Sequence, residues 1–324
     1  MRPRVVGKLF FVAALCAQVA LAHAGHVSDY RLHLARCRPI AGGGELVGLR
    51  RLRIDGLVHY LVVDPKDLST ALVPASQLSV EKRSLEDLRS DFESTPYMKA
   101  LARAESRKKP QQDAGIAHSL PTEQGVVLTV DLCPSPRPLD RALFTQVIDA
   151  FKEVERPVPI GISITGVWMS RHPRDVRWLR ERVEAGDLSV TWINHSYHHA
   201  FDPRRPPSRN FLLTPGVNLD AEVLRAEEAM IEHGLLPSVF FRFPGLVSDE
   251  SVFERVISKG LIPTGSDAWL AKGQVPKAGS IVLIHGNGNE LAGVRAFLKL
   301  MRRERGQIKL RDWLLFDLRS ISRE

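Results

Sequence analysis

The order of hydrophobic and polar residues divides the chain into an opening apolar run, a short β-type stretch and a long section of alternating strand and helix. The opening run, residues 9–22, is almost unbroken and follows Arg2, Arg4 and Lys8. Further on, Leu46-Val47-Gly48-Leu49 and Leu57-Val58-His59-Tyr60-Leu61-Val62-Val63 flank Asp55-Gly56, a hairpin signal. Residues 84–104 have helical spacing, with Leu85, Leu88, Phe92, Met98 and Leu101 as core positions. Residues 106–124 are polar, with Lys, Pro, Gln and Gly, the composition of a linker.

From Gly125 the rhythm changes. Val126-Val127-Leu128-Thr129-Val130 is a buried strand, and Leu139, Leu143, Phe144, Val147, Ile148 and Phe151 share one helical face. Strands are expected at 158–164, 188–193, 239–241, 261–264, 281–284 and 308–315. Helices are expected at 175–185, 219–233, 248–259 (with Ser248 as its cap) and 290–305. Repeated units of this kind predict a parallel sheet, open or closed into a barrel. In such folds the reactive side chains belong on loops at the carboxyl ends of strands.

The polar residues capable of chemistry do fall there. Asp131 follows the first of these strands, His195, Ser196 and His199 the third, Arg242 the fourth, Asp267 and Trp269 the fifth, and His285 the sixth. Each has a plain structural explanation alone; together, at one rim, they predict a site. His195 and His199, four apart, can turn two imidazoles onto one divalent metal, with zinc the first choice.

Composition narrows the setting. The basic start, the apolar run too short for the roughly 20 residues of a membrane span, and Ala22-His23-Ala24 predict a signal peptide over residues 1–24. An uncleaved anchor is the alternative. The expectation is a secreted or periplasmic protein without stable membrane insertion after cleavage. The formal charge of +8 falls to +5 without that segment, which suits an anionic envelope polymer or an ordinary solvated surface. No basic stripe interleaved with aromatics points to nucleic acid. Cys37 and Cys133 permit one disulfide or two buried thiols. The oligomeric state is not set by any of these features.

Read in order, Thr129-Val130-Asp131, Asn194-His195-Ser196-Tyr197-His198-His199, Arg242-Phe243-Pro244-Gly245, Ser266-Asp267-Ala268-Trp269 and Leu283-Ile284-His285 resemble the five ordered motifs of the polysaccharide deacetylase family (NodB-like, carbohydrate esterase family 4). The resemblance spans roughly residues 123–320. It implies a distorted (β/α) barrel of about seven strands. The expected organisation is a signal peptide (1–24), a small β-rich N-terminal unit (25–105), a linker (106–122) and the deacetylase-like domain (123–324). The resemblance also implies roles. Asp131 is the catalytic base, Arg242 the residue orienting it, His285 the general acid and Asp267 the carboxylate tuning that acid. His195 and His199 are metal ligands, and Trp269, Pro244, Gly245 and Tyr197 bind substrate. The implied activity is metal-dependent removal of acetyl groups from an N-acetylated (or O-acetylated) glycan. A catalytically silent glycan-binding protein and an amidase for a small C–N substrate are the alternatives.

One position departs from the pattern. The family places a third metal ligand, Asp, directly after the base, where this chain has Leu132. Asp131 itself could move onto the metal, a neighbour such as Asp140, His198 or Cys133 could substitute, or the site could have lost its metal.

Overall fold

The computed structural model of the chain describes residues 25–108, 112–119 and 124–322. The signal peptide expected at 1–24 lies outside the described residues. Five antiparallel strands come first: β1 (Val27–Pro39), β2 (Leu46–Ile54), β3 (Leu57–Val63), β4 (Thr70–Pro74) and β5 (Leu78–Lys82), in the order β4-β3-β2-β1-β5. The hairpin at Asp55-Gly56 joins β2 to β3, and both turn residues have positive φ (49° and 81°), as a turn that follows strand twist requires. The helix expected over 84–104 is two: α1 (Leu85–Asp91) and α2 (Pro96–Glu105). Ser84 caps α1 through a reciprocal pair with Asp87. Thr95 caps α2, and Pro96 lacks the N–H needed to carry one helix through this point.

The alternating section follows as β6 (Gly125–Leu132), α3 (Arg141–Phe151), β7 (Val158–Ile164), α4 (Gly166–Arg171), α5 (Pro173–Glu184), β8 (Leu188–Asn194), α6 (Leu219–Glu232) and β9 (Pro237–Phe241). Then come α7 (Glu250–Ile257), β10 (Ile262–Pro263), β11 (Ala268–Trp269), β12 (Ile281–His285), α8 (Leu291–Arg303), α9 (Arg305–Leu310) and β13 (Leu314–Leu315). Seven parallel strands lie in the order β10-β9-β8-β7-β6-β12-β11, and β13 joins the amino end of β6. This is a distorted (β/α) barrel. Two local expectations change. Residues 308–315 hold α9 and the two-residue β13 rather than one strand, because Ile308 packs beneath the helices while Leu310 stays exposed. The cap of α7 is Asp249, which accepts the N–H of Val252, not Ser248.

Every residue of β6 and β7 is buried, as strands covered on both faces must be. Side chains on β6 alternate. Val126, Leu128, Val130 and Leu132 enter the layer under the helices with Phe144, Val147 and Phe297. Thr129 and Asp131 face Arg242 inside the barrel.

The N-terminal sheet packs directly on the barrel. Val47, Leu49, Val63 and Tyr97 share one core with Phe240, Phe253 and Leu261. Across that contact Arg50, fully buried, donates to both carboxylate oxygens of Glu227 on α6, at 2.7 and 3.0 Å, and Tyr30 donates to the same carboxylate at 3.0 Å. The polar stretch read as a linker is pinned where it is described. Ile116 is buried and bridges Thr264, and Gly115, at φ 96°, leaves no room for a side chain against the Pro263 carbonyl.

Candidate metal and acid–base site

Cys133, His195 and Arg242 each sit one residue beyond the carboxyl end of a barrel strand, β6, β8 and β9 respectively. Asp131 and His285 lie level with one another in the β6–β12 ladder. Strand register therefore puts these five residues on two neighbouring levels of the barrel, with Cys133, His195 and Arg242 two positions beyond Asp131 and His285.

Arg242 is fully buried and spoken for. Its Nη1 donates to Thr129 Oγ1 (2.7 Å) and to Asp131 Oδ1 (2.8 Å), and its Nη2 donates to the Gly265 carbonyl (2.9 Å). The guanidinium thus fixes one oxygen of Asp131 and leaves Oδ2, which stands 3.8 Å from His195 Nε2. His195 donates from Nδ1 to the Arg242 carbonyl at 2.9 Å, which turns Nε2 toward Cys133 Sγ at 3.5 Å. A backbone acceptor on one imidazole nitrogen is the usual way a ligating histidine is oriented.

The loop after β8 is bent to return His199 to His195. Ser196 and His199 both adopt the left-handed region (φ 66° and 51°), a conformation that costs a non-glycine residue about 1–3 kcal/mol and marks a constrained site. Asn194 accepts the Ser196 N–H and the Ser196 hydroxyl accepts that of His199, which holds the bend. The two rings end with centroids 4.8 Å apart, and His199 Nε2 is buried without a hydrogen-bond partner.

Tyr197 and His198 turn the other way. Glu222 accepts both of their backbone N–H groups and faces His198 Nδ1 at 2.6 Å. The Tyr197 ring packs on Gly166, beneath Arg225. The structure does not bring Tyr197 to His195. Pro244 and Gly245 form a turn whose Gly245, at φ 63°, lies flat against Phe211. Phe211 in turn presses edge-on to His199 and stacks on Phe201, which is 61% exposed. Pro244 and Gly245 thus back the site through an aromatic pair.

The carboxylate beside His285 is Glu290, not Asp267. His285 Nδ1 lies 3.0 Å from Glu290 Oε2, an ion-pair distance, although the alignment misses that of a hydrogen bond. Trp269 Nε1 donates to the same oxygen at 2.7 Å, and its ring centre stands 6.2 Å from that of His285. Glu290 occupies the cap position of α8 with φ 47°, yet its side chain makes no cap. Asp267 accepts the N–H of Ile281 at the opposite end of β12 and pairs with His118 Nδ1 at 2.7 Å. Four residues of strand, about 13 Å, separate that point from His285.

Of the candidates named for the missing ligand, Cys133 is the one grouped with both histidines; Asp131 Oδ2 stands 3.8 Å from His195 but falls outside that cluster. Asp140 caps α3, His198 faces Glu222, and Leu132 is sealed under the helices. Cys133, His195 and His199 place their donor atoms within 4.8 Å of one another. Cys37 and Cys133 are both free, buried thiols. Burial pushes Cys37 up to about 11. Burial also opposes ionisation of Cys133, but the imidazoles of His199, His285 and His195 hold its thiol well below the ordinary range. Burial likewise works against charge on His285, yet Cys133, Glu290 and Asp131 together raise it well above the usual histidine range. The donor set and the unpartnered His199 nitrogen fit a divalent metal of borderline softness.

Two participants went unseen in the sequence. Glu290 carried no signal except its place five residues after His285. Asn287, fully buried, donates from Nδ2 to the Cys133 carbonyl at 2.6 Å and could have been noticed only as a polar residue trailing the last motif.

No protein-family model matches the chain. Its structure is similar to a family 4 carbohydrate esterase from Bacillus anthracis (TM-score 0.46, 18% identity, covering 64% of this chain and 87% of that one). A family 4 carbohydrate esterase of Bacillus subtilis gives 0.44 and 16%, with 64% and 84% covered. A pseudoenzyme of the same family from Bacillus anthracis gives 0.44 and 15%, with 65% and 69% covered. These three solved structures are described as family 4 carbohydrate esterases, one of the three as a pseudoenzyme.

Proposed function

We propose that the protein is an exported, metal-dependent hydrolase that removes acetyl groups from an N-acetylated or O-acetylated glycan. The observation that carries this reading is the meeting, at the carboxyl end of the barrel, of a base clamped by a buried guanidinium, a pair of histidines with a thiol, and a third histidine held by a carboxylate. A divalent metal bound there would lower the pKa of its water and polarise the acetyl carbonyl.

Asp131 serves as the base. Its Oδ2 accepts a proton from the attacking water while Arg242 keeps Oδ1 occupied, so the free oxygen is fixed in direction. His285 serves as the acid. Held protonated, it delivers its proton to the departing nitrogen or oxygen as the acyl bond breaks, giving acetate and the free amine or hydroxyl. Glu290 positions His285 and ties it to Trp269, which walls the acetyl pocket. Phe201, stacked on Phe211 beside His199, offers an exposed aromatic face for a sugar ring. Asp267 and Tyr197, both turned elsewhere, have no part in this scheme.

Export rests on the basic and apolar composition of residues 1–24. Among the described residues no helix is long and apolar enough to cross a membrane. Acetate release from acetylated chitooligosaccharides and from peptidoglycan tests the activity. Release that chelation abolishes supports it. Metal bound and glycan bound, with no acetate from any acetylated substrate, rules it out in favour of a silent glycan-binding protein.

A further inference from the structure

We infer that Cys133 is the third protein ligand of the metal site, with His195 and His199, and that this donor set selects a thiophilic divalent ion, zinc or cobalt, over magnesium, calcium or manganese. The inference rests on reading the site as a metal centre and adds which atom completes it and which metals it takes.

Strand geometry moves the ligand by one position. Successive side chains on a strand point to opposite faces. Leu132 therefore follows Val130 into the layer beneath the helices, where it is fully buried. Cys133 follows Thr129 and Asp131 to the inner face, beside His195. The backbone there is fastened on both sides. Thr165 Oγ1 donates to the Leu132 carbonyl at 3.0 Å and Asn287 Nδ2 donates to the Cys133 carbonyl at 2.6 Å. Those two bonds aim the thiol rather than leaving it on a free loop.

The separation of donors agrees with shared coordination. A sulfur and an imidazole nitrogen at tetrahedral angles on one zinc, with bonds of about 2.3 and 2.05 Å, stand about 3.6 Å apart. Cys133 Sγ and His195 Nε2 are 3.5 Å apart. His199 supplies the third donor, and its Nε2 is buried without a hydrogen-bond partner. Buried polar atoms are mostly paired; His199 Nε2 is one of nine unpaired buried side-chain atoms among the described residues, and its ring is the one that stands with both a thiol and a second imidazole. Thiolate and imidazole favour zinc and cobalt, whereas magnesium, calcium and manganese prefer carboxylate oxygen. Two histidines and one thiolate would hold a zinc ion with three protein ligands, the number usual in catalytic rather than structural sites.

The test is cobalt(II) titration of the purified, chelator-stripped protein, followed by absorbance. The expected result is a near-ultraviolet thiolate-to-cobalt charge-transfer band that saturates at about one equivalent. Zinc should displace the cobalt, and excess magnesium or calcium should not. Cys133→Ser should abolish the band and weaken zinc binding at least about tenfold. Cys133→Asp should keep metal binding without the band and lower the preference for zinc over manganese at least about tenfold. Cobalt bound by the wild-type protein with no charge-transfer band overturns the inference, and that spectrum stands even if a variant fails to fold. The two readings fail separately. A band without acetate release sinks the deacetylase and leaves the metal site, whereas acetate release without a band sinks the thiolate ligand alone.

Discussion

Glu290 Oε2 lies 3.0 Å from His285 Nδ1. The same oxygen accepts the Trp269 indole N–H, so one carboxylate links the proposed acid to the proposed pocket wall. Glu290→Ala should lower kcat by about a hundredfold, the lower range for a general acid, with KM little changed. Glu290→Gln, which keeps an acceptor, should recover part of the loss. Asp267→Asn should leave kcat within about twofold, since Asp267 touches His118 and Ile281 and not His285. Steady-state kinetics on the three variants checks this. Equal losses at positions 267 and 290 would contradict it.

Arg242 touches Thr129, Asp131 and Gly265 at once through a planar fork. A lysine cannot span those partners. Arg242→Lys should therefore cost about a hundredfold or more in kcat while zinc affinity stays near that of the wild type, because His195 leans on the Arg242 backbone carbonyl rather than its side chain. Metal content measured beside the rate separates the two effects.

Arg50 and Glu227 join the N-terminal sheet to the barrel with both side chains out of water. Removing one member of such a pair strands the other. Glu227→Ala should destabilise the fold by about 3–5 kcal/mol in denaturant titration. Because Leu49, Tyr97 and Phe253 belong to one core, the wild-type protein should unfold in a single transition seen alike by circular dichroism and by tryptophan fluorescence. Two separate transitions would refute the shared core.

Asp317 contributes a predictable pH dependence. Burial opposes its charge, but Arg319 and the Thr191 hydroxyl hold the carboxyl below its usual 3.8. A carboxyl depressed in the folded state stabilises the fold above its unfolded pKa, and that contribution fades as pH falls through the lower folded value. The stability gap between wild type and Asp317→Asn should be flat near neutrality and shrink once the pH drops below 3.8. A gap that widens on acidification would reverse the sign of the argument.

The barrel was legible because its strands and helices keep strict rhythm, and Asp131, His195, Arg242 and His285 were legible because each falls at a strand end. What escaped was orientation. A motif counts positions along the chain, whereas the fold sorts them by face. That is why Leu132 is sealed under the helices and Cys133 reaches the histidines. His198 and His199 look equivalent in sequence, but Glu222, distant in the chain, draws one away and two strained residues return the other. Asp267 sits in the motif that names it, yet the start of β12 holds it far from His285, and Glu290 reaches His285 from a left-handed residue that no periodicity announces. Pro96 divided a helix that apolar spacing alone had joined.

The most direct measurement of the central claim is acetate release from an acetylated glycan while zinc is returned stepwise to chelated protein. The account predicts no release without metal, then a linear rise that breaks at about one equivalent. Stoichiometric zinc binding with no acetate released, or full release from the chelated protein, would contradict it.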